Sequence, residues 1–455
     1  MERQSLPISS RWFQGAILTY IVGFSILGIL AYLVYEQQPP MPARVASESG
    51  ETLSTRDDVM RGMNVFERYG LMEYGSVYGH GAYLGPDFTA EYLHKTAEWL
   101  THQYQENPVG VSSAGERVMT ELHQNTYDAI RDTVTWSAAR AATHRRMVDY
   151  YQSIFYSRVS RGGAQARWIG DSEEIRELTA FFAWTAWTST ANRPGTRGSY
   201  TNNWPPEPLA GNSVTPEAVT WSVISIIGLF GGTGLVLFFF GRYDWLGWGE
   251  ETRQVRLRPV TEVALASAQR AVVWFLVVTS VLFFLQTLCG GLAAHYRAEP
   301  GNFFGFNISE ILPYNIARTW HVQLSIFWVS ASFLATAIFM VPLIAGRERK
   351  GQAPLTIALL LALVVVVFGS LAGEYASIKG WLSKEWFWLG DQGWEYLDLG
   401  RLWQILLIIG LFFMGDYLIP RYERETRGST AWNAPLASLL CRPGDSCVLR
   451  GGTSR

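Results

Sequence analysis

The residue best suited to chemistry in this chain is His321, which lies in the stretch LPYNIARTWHVQLSIFWVSASFLATAIFMVPLI. That stretch is apolar enough and long enough to cross a bilayer. An imidazole in hydrocarbon is costly unless it binds a metal or is hydrogen-bonded, and a neutral imidazole is a good ligand for iron. His321 therefore suggests a haem, and a hydrogen bond to a neighbouring helix is the alternative. No histidine follows it in the sequence.

Six apolar runs, each near the ~20 residues that cross a bilayer, are predicted to be the transmembrane helices that position this histidine. Arginine and lysine are concentrated in the loops on one side of these runs, so the N-terminus is predicted to be cytoplasmic. The first run lacks a small-residue cleavage site and is interpreted as a retained anchor within residues 1–35. The runs are approximately Trp12–Tyr35, Ala218–Phe240, Ala268–Ala294, Pro313–Ala345, Ala353–Tyr375 and Leu399–Ile419.

Between the first two runs, residues 36–217 are polar and predicted to form an extracytoplasmic domain. Segments such as EYLHKTAEWLTHQY have helical periodicity, and GSVYGHGAYLGPDF is a glycine-rich loop. A net charge of −2 argues against nucleic acid as a partner. The three cysteines include no C-x-x-C-H motif and provide no disulfide framework. The histidines of this domain have spacings that match no metal motif: His80, His94, His102, His123 and His144.

Several long stretches resemble the quinol-dependent nitric oxide reductases, a branch of the haem–copper oxidase superfamily. They are GHGAYLGPDFTAEYLH, WTSTANRPG with YTNNWPPEPLAGN, the stretch around His321, and GEYASIKGWL with WFWLGDQGWEYLDLGRLWQILLIIGLFF. The resemblance implies an all-α polytopic protein of a bacterial-type inner (cytoplasmic) membrane. Its helical bundle, residues 218–419, would carry an external cytochrome-c-like domain. Family members reduce two nitric oxide molecules to nitrous oxide and water with electrons from membrane quinol.

The resemblance also implies cofactor sites. His321 resembles an axial ligand of a low-spin haem b. Arg318 shares its helix face, and either a haem propionate or a snorkelling position at the interface would suit its charge. Gly81, Tyr83 and Glu395 resemble the family's calcium site, in which backbone carbonyls and a carboxylate supply oxygen ligands.

The electron donor is implied in the same way. His295, Glu299 and Phe303 follow one another at intervals of four and resemble part of a quinol site, while an ordinary polar loop is the alternative reading. His or Glu can accept a hydroxyl proton while an aromatic ring packs on the quinol. Cytochrome-dependent relatives carry C-x-x-C-H where this chain has residues 71–75, so no covalent haem c is expected and quinol is the expected donor.

The family's high-spin haem and non-haem iron lie further along its chain than residue 413, where the resemblance stops. Residues 420–455 match nothing in the family and read as an out-of-frame tail. We therefore expect no catalytic residue and no second axial ligand of haem b in this chain, which would be an inactive N-terminal part of the enzyme. Two alternatives stay open. In the first, another polypeptide or self-association completes a missing C-terminal half. In the second, the chain is a non-enzymatic redox or gas sensor.

Overall fold

The computed structural model describes residues 10–107, 112–156, 167–243, 265–299, 305–345, 348, 351–391 and 398–412. The chain is mostly helical, as the sequence predicts. A long apolar helix, α1 (Ser10–Glu36), precedes an external domain, and further apolar helices follow that domain. The described part therefore has the predicted order of anchor, external domain and helical bundle.

Helix boundaries in the external domain follow from capping residues. The oxygen of a Ser, Thr or Asp side chain accepts a hydrogen bond from a backbone N–H of the first helical turn, which would otherwise have no partner. Such caps are Thr55, Asp87, Ser113, Ser137 and Asp171, before α2, α4, α5, α6 and α7 respectively. The helices are α2 (Arg56–Arg68), α3 (Leu71–Tyr74), α4 (Phe88–Glu106), α5 (Ala114–His123), α6 (Ala138–Phe155) and α7 (Ser172–Thr190).

The external domain also contains a small four-stranded sheet, so the expectation of a purely helical domain was incomplete. Its strands are β1 (Arg44–Ser47), β2 (Thr52–Thr55), β3 (Tyr127–Asp128) and β4 (Thr133–Trp136), in the order β2-β1-β4-β3. The central pair β1 and β4 is parallel, and both outer pairs are antiparallel. Strands of two to four residues are too short to show the alternating pattern by which a sequence reveals a strand.

Aromatic packing holds this domain together. Phe66 of α2, Phe88 of α4 and Phe182 of α7 are buried, and the rings of Phe88 and Phe182 stack with centroids 4.6 Å apart. Helices α2 and α7 approach so closely at Gly62 that a methyl group there would overlap the main-chain carbonyl of Glu177. This glycine therefore sets the distance between the two helices.

Five of the six predicted membrane spans are helices long and apolar enough to cross a bilayer, which makes this a multi-pass membrane protein. The sixth is described only as a shorter apolar helix, α13 (Arg401–Phe412), and the rest of its predicted range lies outside the described residues. The remaining helices are α8 (Pro216–Tyr243), α9 (Ser267–Ala298), α10 (Tyr314–Ala345), α11 (Gln352–Ile378) and the short α12 (Trp386–Leu389).

Helices α9, α10 and α11 pack on one another, and buried side chains such as Leu282, Phe327 and Val367 lie between them. The apolar windows of α1 and α8, in contrast, have no buried residue. The packed three-helix unit is therefore the part of the membrane domain that can fix the position of a functional group.

The external domain rests on the outer ends of these three helices. The side-chain amide of Asn315 in α10 donates to the carbonyl of Tyr69 over 3.1 Å, and the Ser377 hydroxyl in α11 donates to the carbonyl of Arg68 over 2.8 Å. Tyr296 of α9 and Tyr314 of α10 belong to the same buried cluster as Phe66. One continuous core thus joins the two parts of the protein.

We expect Gly62→Ala to lower the free energy of unfolding by about 1–3 kcal/mol, because the added methyl group forces α2 and α7 apart. Chemical denaturation of the protein in detergent, followed by tryptophan fluorescence, measures this loss. Gly115→Ala in α5 is the control, since a methyl group at Gly115 meets no atom within 4 Å. Equal stability of the two variants would contradict this account of the helix contact.

Candidate functional site

Three carboxylic acids meet where the external domain contacts the membrane helices. Glu73 comes from α3, and Asp391 and Asp398 come from the segment between α12 and α13. One carboxylate oxygen from each lies within 4.8 Å of the others, and the three residues are at most 2% exposed. We call this group the junction acid cluster.

A fourth acid, Glu374 of α11, is also fully buried. Burial raises the pKa of Asp391, and the charges of Glu73, Asp398 and Glu374 raise it further. Six oxygens of these four residues receive no hydrogen bond from an N–H or hydroxyl donor of the described residues: both of Glu73, both of Glu374, Oδ2 of Asp391 and Oδ1 of Asp398. Glu73 and Asp398 lie close enough to share a hydrogen bond with each other when one of them is protonated. Buried polar atoms without partners are uncommon in proteins, which marks this region as a functional candidate.

Glycines and hydroxyl or amide donors shape the cluster. Gly70 has a left-handed backbone (φ 58°), and a Cβ there would lie 2.8 Å from Oδ2 of Asp391. Asp398 is oriented by α10, where the Thr319 hydroxyl donates to Oδ2 over 2.5 Å and the Gln323 amide donates to it over 3.2 Å. The Thr319 and Gln323 bonds therefore fix the orientation of the Asp398 carboxyl group.

Burial raises the pKa of Glu73, Asp391 and Asp398 above the usual range of carboxylic acids, because charge is poorly solvated there. Their mutual repulsion raises the pKa of Glu73 and of Asp391 further. Arg318 of α10 opposes this effect, because its positive charge lowers the pKa of Glu73 and Asp398. Arg318 is thus close enough to the acid cluster for its charge to act on two of the three acids.

His321 lies two helical turns further along the chain from Tyr314, and its half-buried ring faces α9. Its Nδ1 is 2.9 Å from the main-chain carbonyl oxygen of Gln286 and 3.0 Å from the side-chain amide nitrogen of the same residue. The carbonyl pairs only with a protonated Nδ1, and in that tautomer Nε2 carries the lone pair, 3.3 Å from the amide nitrogen. A Cβ at Gly290 would lie 2.5 Å from Nδ1 and Cε1, so this glycine makes room for the ring.

This arrangement fits a metal-binding histidine. A ligating imidazole usually donates its other ring N–H to a carbonyl or carboxylate, which fixes the tautomer and the ring orientation. The contact with Gln286 supplies that bond. The sequence also allows a histidine that is only hydrogen-bonded to a neighbouring helix, and that alternative describes the same contact. The geometry of Nδ1 is compatible with a metal ligand and with a hydrogen-bonded histidine.

The predicted quinol residues are described in part. His295 lies in the last turn of α9, and its Nε2 atom is 3.3 Å from a carboxylate oxygen of Glu299. Phe303 lies outside the described residues. The structure therefore brings together the two groups that could accept a proton, and it does not test the aromatic one.

Of the predicted calcium ligands, Gly81 and Tyr83 are exposed on a loop of the external domain, and Glu395 lies outside the described residues. The Tyr83 ring stacks on Tyr314, with centroids 6.4 Å apart, and its carbonyl accepts a hydrogen bond from Arg297 over 2.9 Å. This loop therefore also lies at the junction between the two parts of the chain.

The external histidines for which a contact is described serve as hydrogen-bond or ion-pair partners. Nδ1 of His144 is 2.8 Å from the Tyr92 hydroxyl, and burial lowers the pKa of His144 to about 4. Nε2 of His123 is 3.1 Å from the carbonyl of Ala210. Among the described residues, the group able to hold a metal ion contains no histidine.

Sequence reasoning missed the junction acid cluster. Its members lie in two segments that are far apart in the chain, and Glu73 lies in a stretch that stands out only for its missing haem attachment. A usable signal was present in GEYAS and LGDQGWEYLDLG, where acids adjoin apolar runs. An acid next to a membrane span and away from a charged loop costs free energy, and such a position therefore favours a functional role.

With chelator present, we expect the protein to lose thermal stability as the pH rises above about 4, the ordinary pKa of a carboxyl group. The folded-state pKa of Asp391 is raised, so the folded protein keeps a proton that the unfolded chain has already lost, and stability falls until the pH reaches the folded-state pKa. Asp391→Asn should reduce this slope in a thermal scan between pH 5 and 8. A slope identical to that of the unmodified chain would contradict the assignment.

Two family models match this chain and identify its family. The family model for the NorB cytochrome c-like domain of nitric oxide reductase matches residues 42–206, and that for cytochrome c and quinol oxidase polypeptide I matches residues 270–440. The second range extends past residue 413, where the resemblance to the reductase motifs ends. Comparison with curated proteins found no match. The two ranges coincide with the external domain and with the helices that carry His321, and the chain therefore belongs to the haem–copper oxidase family as a NorB-like member.

Proposed function

We propose that this chain carries the electron-accepting part of a quinol-dependent nitric oxide reductase in a bacterial-type inner membrane, with the external domain on the extracytoplasmic side. Membership of the haem–copper oxidase family implies haem and metal cofactors. The observation that carries the proposal is the contact of His321 with α9, in which Nδ1 lies 2.9 Å from a main-chain carbonyl oxygen, so that the tautomer protonated at Nδ1 leaves a lone pair on Nε2. The overall reaction takes two nitric oxide molecules, two electrons and two protons to nitrous oxide and water.

His321 would hold a low-spin haem b through Nε2, after the side-chain amide of Gln286 has moved away from that atom. When bound, this haem supplies one-electron transfer between the donor and the site of nitric oxide reduction. The protein's own contribution is to fix the imidazole tautomer through the Gln286 carbonyl and to leave space for the ring at Gly290. A rigid ligand geometry of this kind tunes the affinity and potential of the iron.

Quinol is the donor we propose, for two reasons. The stretch that would attach a haem c is instead α3, whose Leu71 and Tyr74 are buried, and the Tyr74 ring contacts Trp168 with centroids 5.1 Å apart. An electron route through this position, as in a cytochrome, would therefore lack its covalent haem. His295 and Glu299, in contrast, form a pair at the end of a membrane helix, where a lipid-soluble donor arrives.

At that pair, oxidation of a quinol releases two protons and two electrons. His295 is placed to accept a hydroxyl proton at its ring nitrogen, and Glu299 then stabilises the resulting imidazolium across 3.3 Å. Phe303 completes this proposed site as the residue that packs on the quinol ring. The same proposal includes a calcium ion, which Gly81, Tyr83 and Glu395 would hold and which would supply positive charge near the external domain.

The haem assignment predicts that His321→Ala loses the reduced-minus-oxidised absorbance of haem b in purified membranes. Gly290→Ala should weaken haem binding by about tenfold or more, since the methyl group displaces the ring from its orienting carbonyl. Gly291→Ala is the matched control, because a methyl group there meets nothing within 4 Å. Full haem content in His321→Ala would exclude this residue as the ligand.

The quinol assignment predicts that His295→Ala slows quinol-driven haem reduction by roughly 100-fold, since a positioned proton acceptor contributes about that much. Reduction by dithionite should be unchanged, because it bypasses the donor site. The control is His94→Ala, which removes a similar His–carboxylate pair, with Glu207 at 3.2 Å, on the external domain. Normal quinol-driven rates in His295→Ala would remove the pair from the donor site.

A further inference from the structure

The external domain contains a buried arginine that forms no ion pair with any described residue. Arg140 lies in the first turn of α6 and is only 7% exposed. Its guanidinium lies over the ring of Trp136 in β4, 4.6 Å from the ring centroid, and donates no hydrogen bond within the described part of the chain. A buried charge is normally paired or hydrogen-bonded, because water cannot solvate it. An anion from outside the chain would supply the missing partner.

The indole of Trp136 is a second donor in the same place. Trp136 is 3% exposed, and its Nε1 atom is bonded to no acceptor of the described residues. A buried indole N–H usually has an acceptor, so this is a second unsatisfied donor. It is independent of the charge on Arg140, since the indole is neutral. The two side chains are in contact, and one small acceptor could therefore serve both.

The charges around these two side chains favour an anion. The first turn of α6 contains no acidic residue, and the N-terminus of a helix carries a partial positive charge. His144, one turn further along α6, packs edge-on against Trp136 with ring centroids 5.5 Å apart. Burial lowers the pKa of His144 to about 4, and nearby positive charges lower it as well, those of Arg140, Arg145 and Arg176. The region thus has a positive potential.

Glu121 is the carboxylate of the chain that could compete with an external anion. Burial lowers the pKa of Arg140, and the charge of Glu121 opposes that effect. Both oxygens of Glu121 are already used, since one accepts a hydrogen bond from the Tyr104 hydroxyl and the other accepts one from the Ser137 hydroxyl over 2.5 Å. Glu121 therefore acts on Arg140 from a distance and does not neutralise it by contact.

The geometry of the donors selects an oxyanion. A guanidinium presents N–H groups in a planar fork that matches two oxygens of one carboxylate, nitrite or phosphate. The indole N–H can bond to one oxygen of the same ion. A halide offers a single acceptor atom and uses this fork less well. The small exposed fraction of Arg140 limits the site to small ions.

We propose that Arg140 and Trp136 form a binding site for a small oxyanion at the N-terminus of α6. The site lies in the external domain and shares no residue with the proposed haem, quinol and calcium sites. It is therefore testable in a chain that neither binds haem nor reduces nitric oxide.

The experiment uses the full chain, purified in detergent. Sodium acetate, nitrite or phosphate replaces sodium chloride at constant ionic strength, and thermal unfolding and titration calorimetry are measured. We expect at least one oxyanion to raise the melting temperature above its value in chloride, because a ligand that binds only the folded chain stabilises it. Arg140→Gln should weaken oxyanion binding by about tenfold or more, since a hydrogen bond to a charged group is lost.

Trp136→Phe tests the indole donor by itself. It removes the N–H and keeps an aromatic ring under the guanidinium, so binding should weaken by about two- to tenfold. Arg146→Gln is the matched control. Arg146 also belongs to α6 and lies over a tryptophan ring, that of Trp99 at 4.2 Å, but it is exposed. Its loss should leave oxyanion binding unchanged.

Glu121→Gln distinguishes an external anion from an internal counter-ion. If an oxyanion binds beside Arg140, removal of the neighbouring negative charge should strengthen its binding. An oxyanion effect that is absent from the unmodified chain and present only in Glu121→Gln would make Glu121 the counter-ion and overturn the site.

Two further results would also exclude the site. One is an unmodified chain whose melting temperature is the same in every oxyanion as in chloride, a result that needs no variant to fold. The other is oxyanion binding that Arg140→Gln and Trp136→Phe leave at full strength. Should Arg140→Gln fail to fold, Arg140→Lys replaces it, because it keeps the charge and removes the planar fork.

Discussion

The contact between the external domain and the outer ends of α10 and α11 is the constraint on which the rest of the structure depends. It is made by main-chain carbonyls of Arg68 and Tyr69, which accept hydrogen bonds from Ser377 and Asn315. Directly beside these bonds lie buried acids whose charge favours separation. Holding the two parts together therefore requires that this charge be neutralised.

Helix α10 connects the junction to the membrane interior. Within a few turns it carries Asn315, which binds the external domain, Thr319, which orients Asp398, and His321, which faces α9. A displacement of this helix would alter all three contacts together, because a packed helix moves as a rigid element. The same helix therefore positions both the contact with the external domain and the ring of His321.

The individual site residues show where sequence reasoning works. His321 was identified because the free-energy cost of a histidine in hydrocarbon depends only on the residue itself and on its neighbours in the sequence. Arg318 was predicted to lie at a haem propionate or at the interface, and this stays a prediction; the structure adds that its charge lowers the pKa of Glu73 and Asp398. The acids of the junction were missed because an isolated Asp or Glu is usually solvated, and only the packing of three segments removes the water from these.

By itself, the sequence determined the apolar helices, the polar domain between the first two, and the one histidine whose chemistry requires a partner. These features follow from local composition, since a bilayer imposes length and hydrophobicity on each segment separately. Only the tertiary structure decided that Glu73 of the external domain lies against Asp398, and that Gln286 contacts the ring of His321. Both contacts join residues far apart in the chain, and no local pattern encodes which distant groups a fold will bury together.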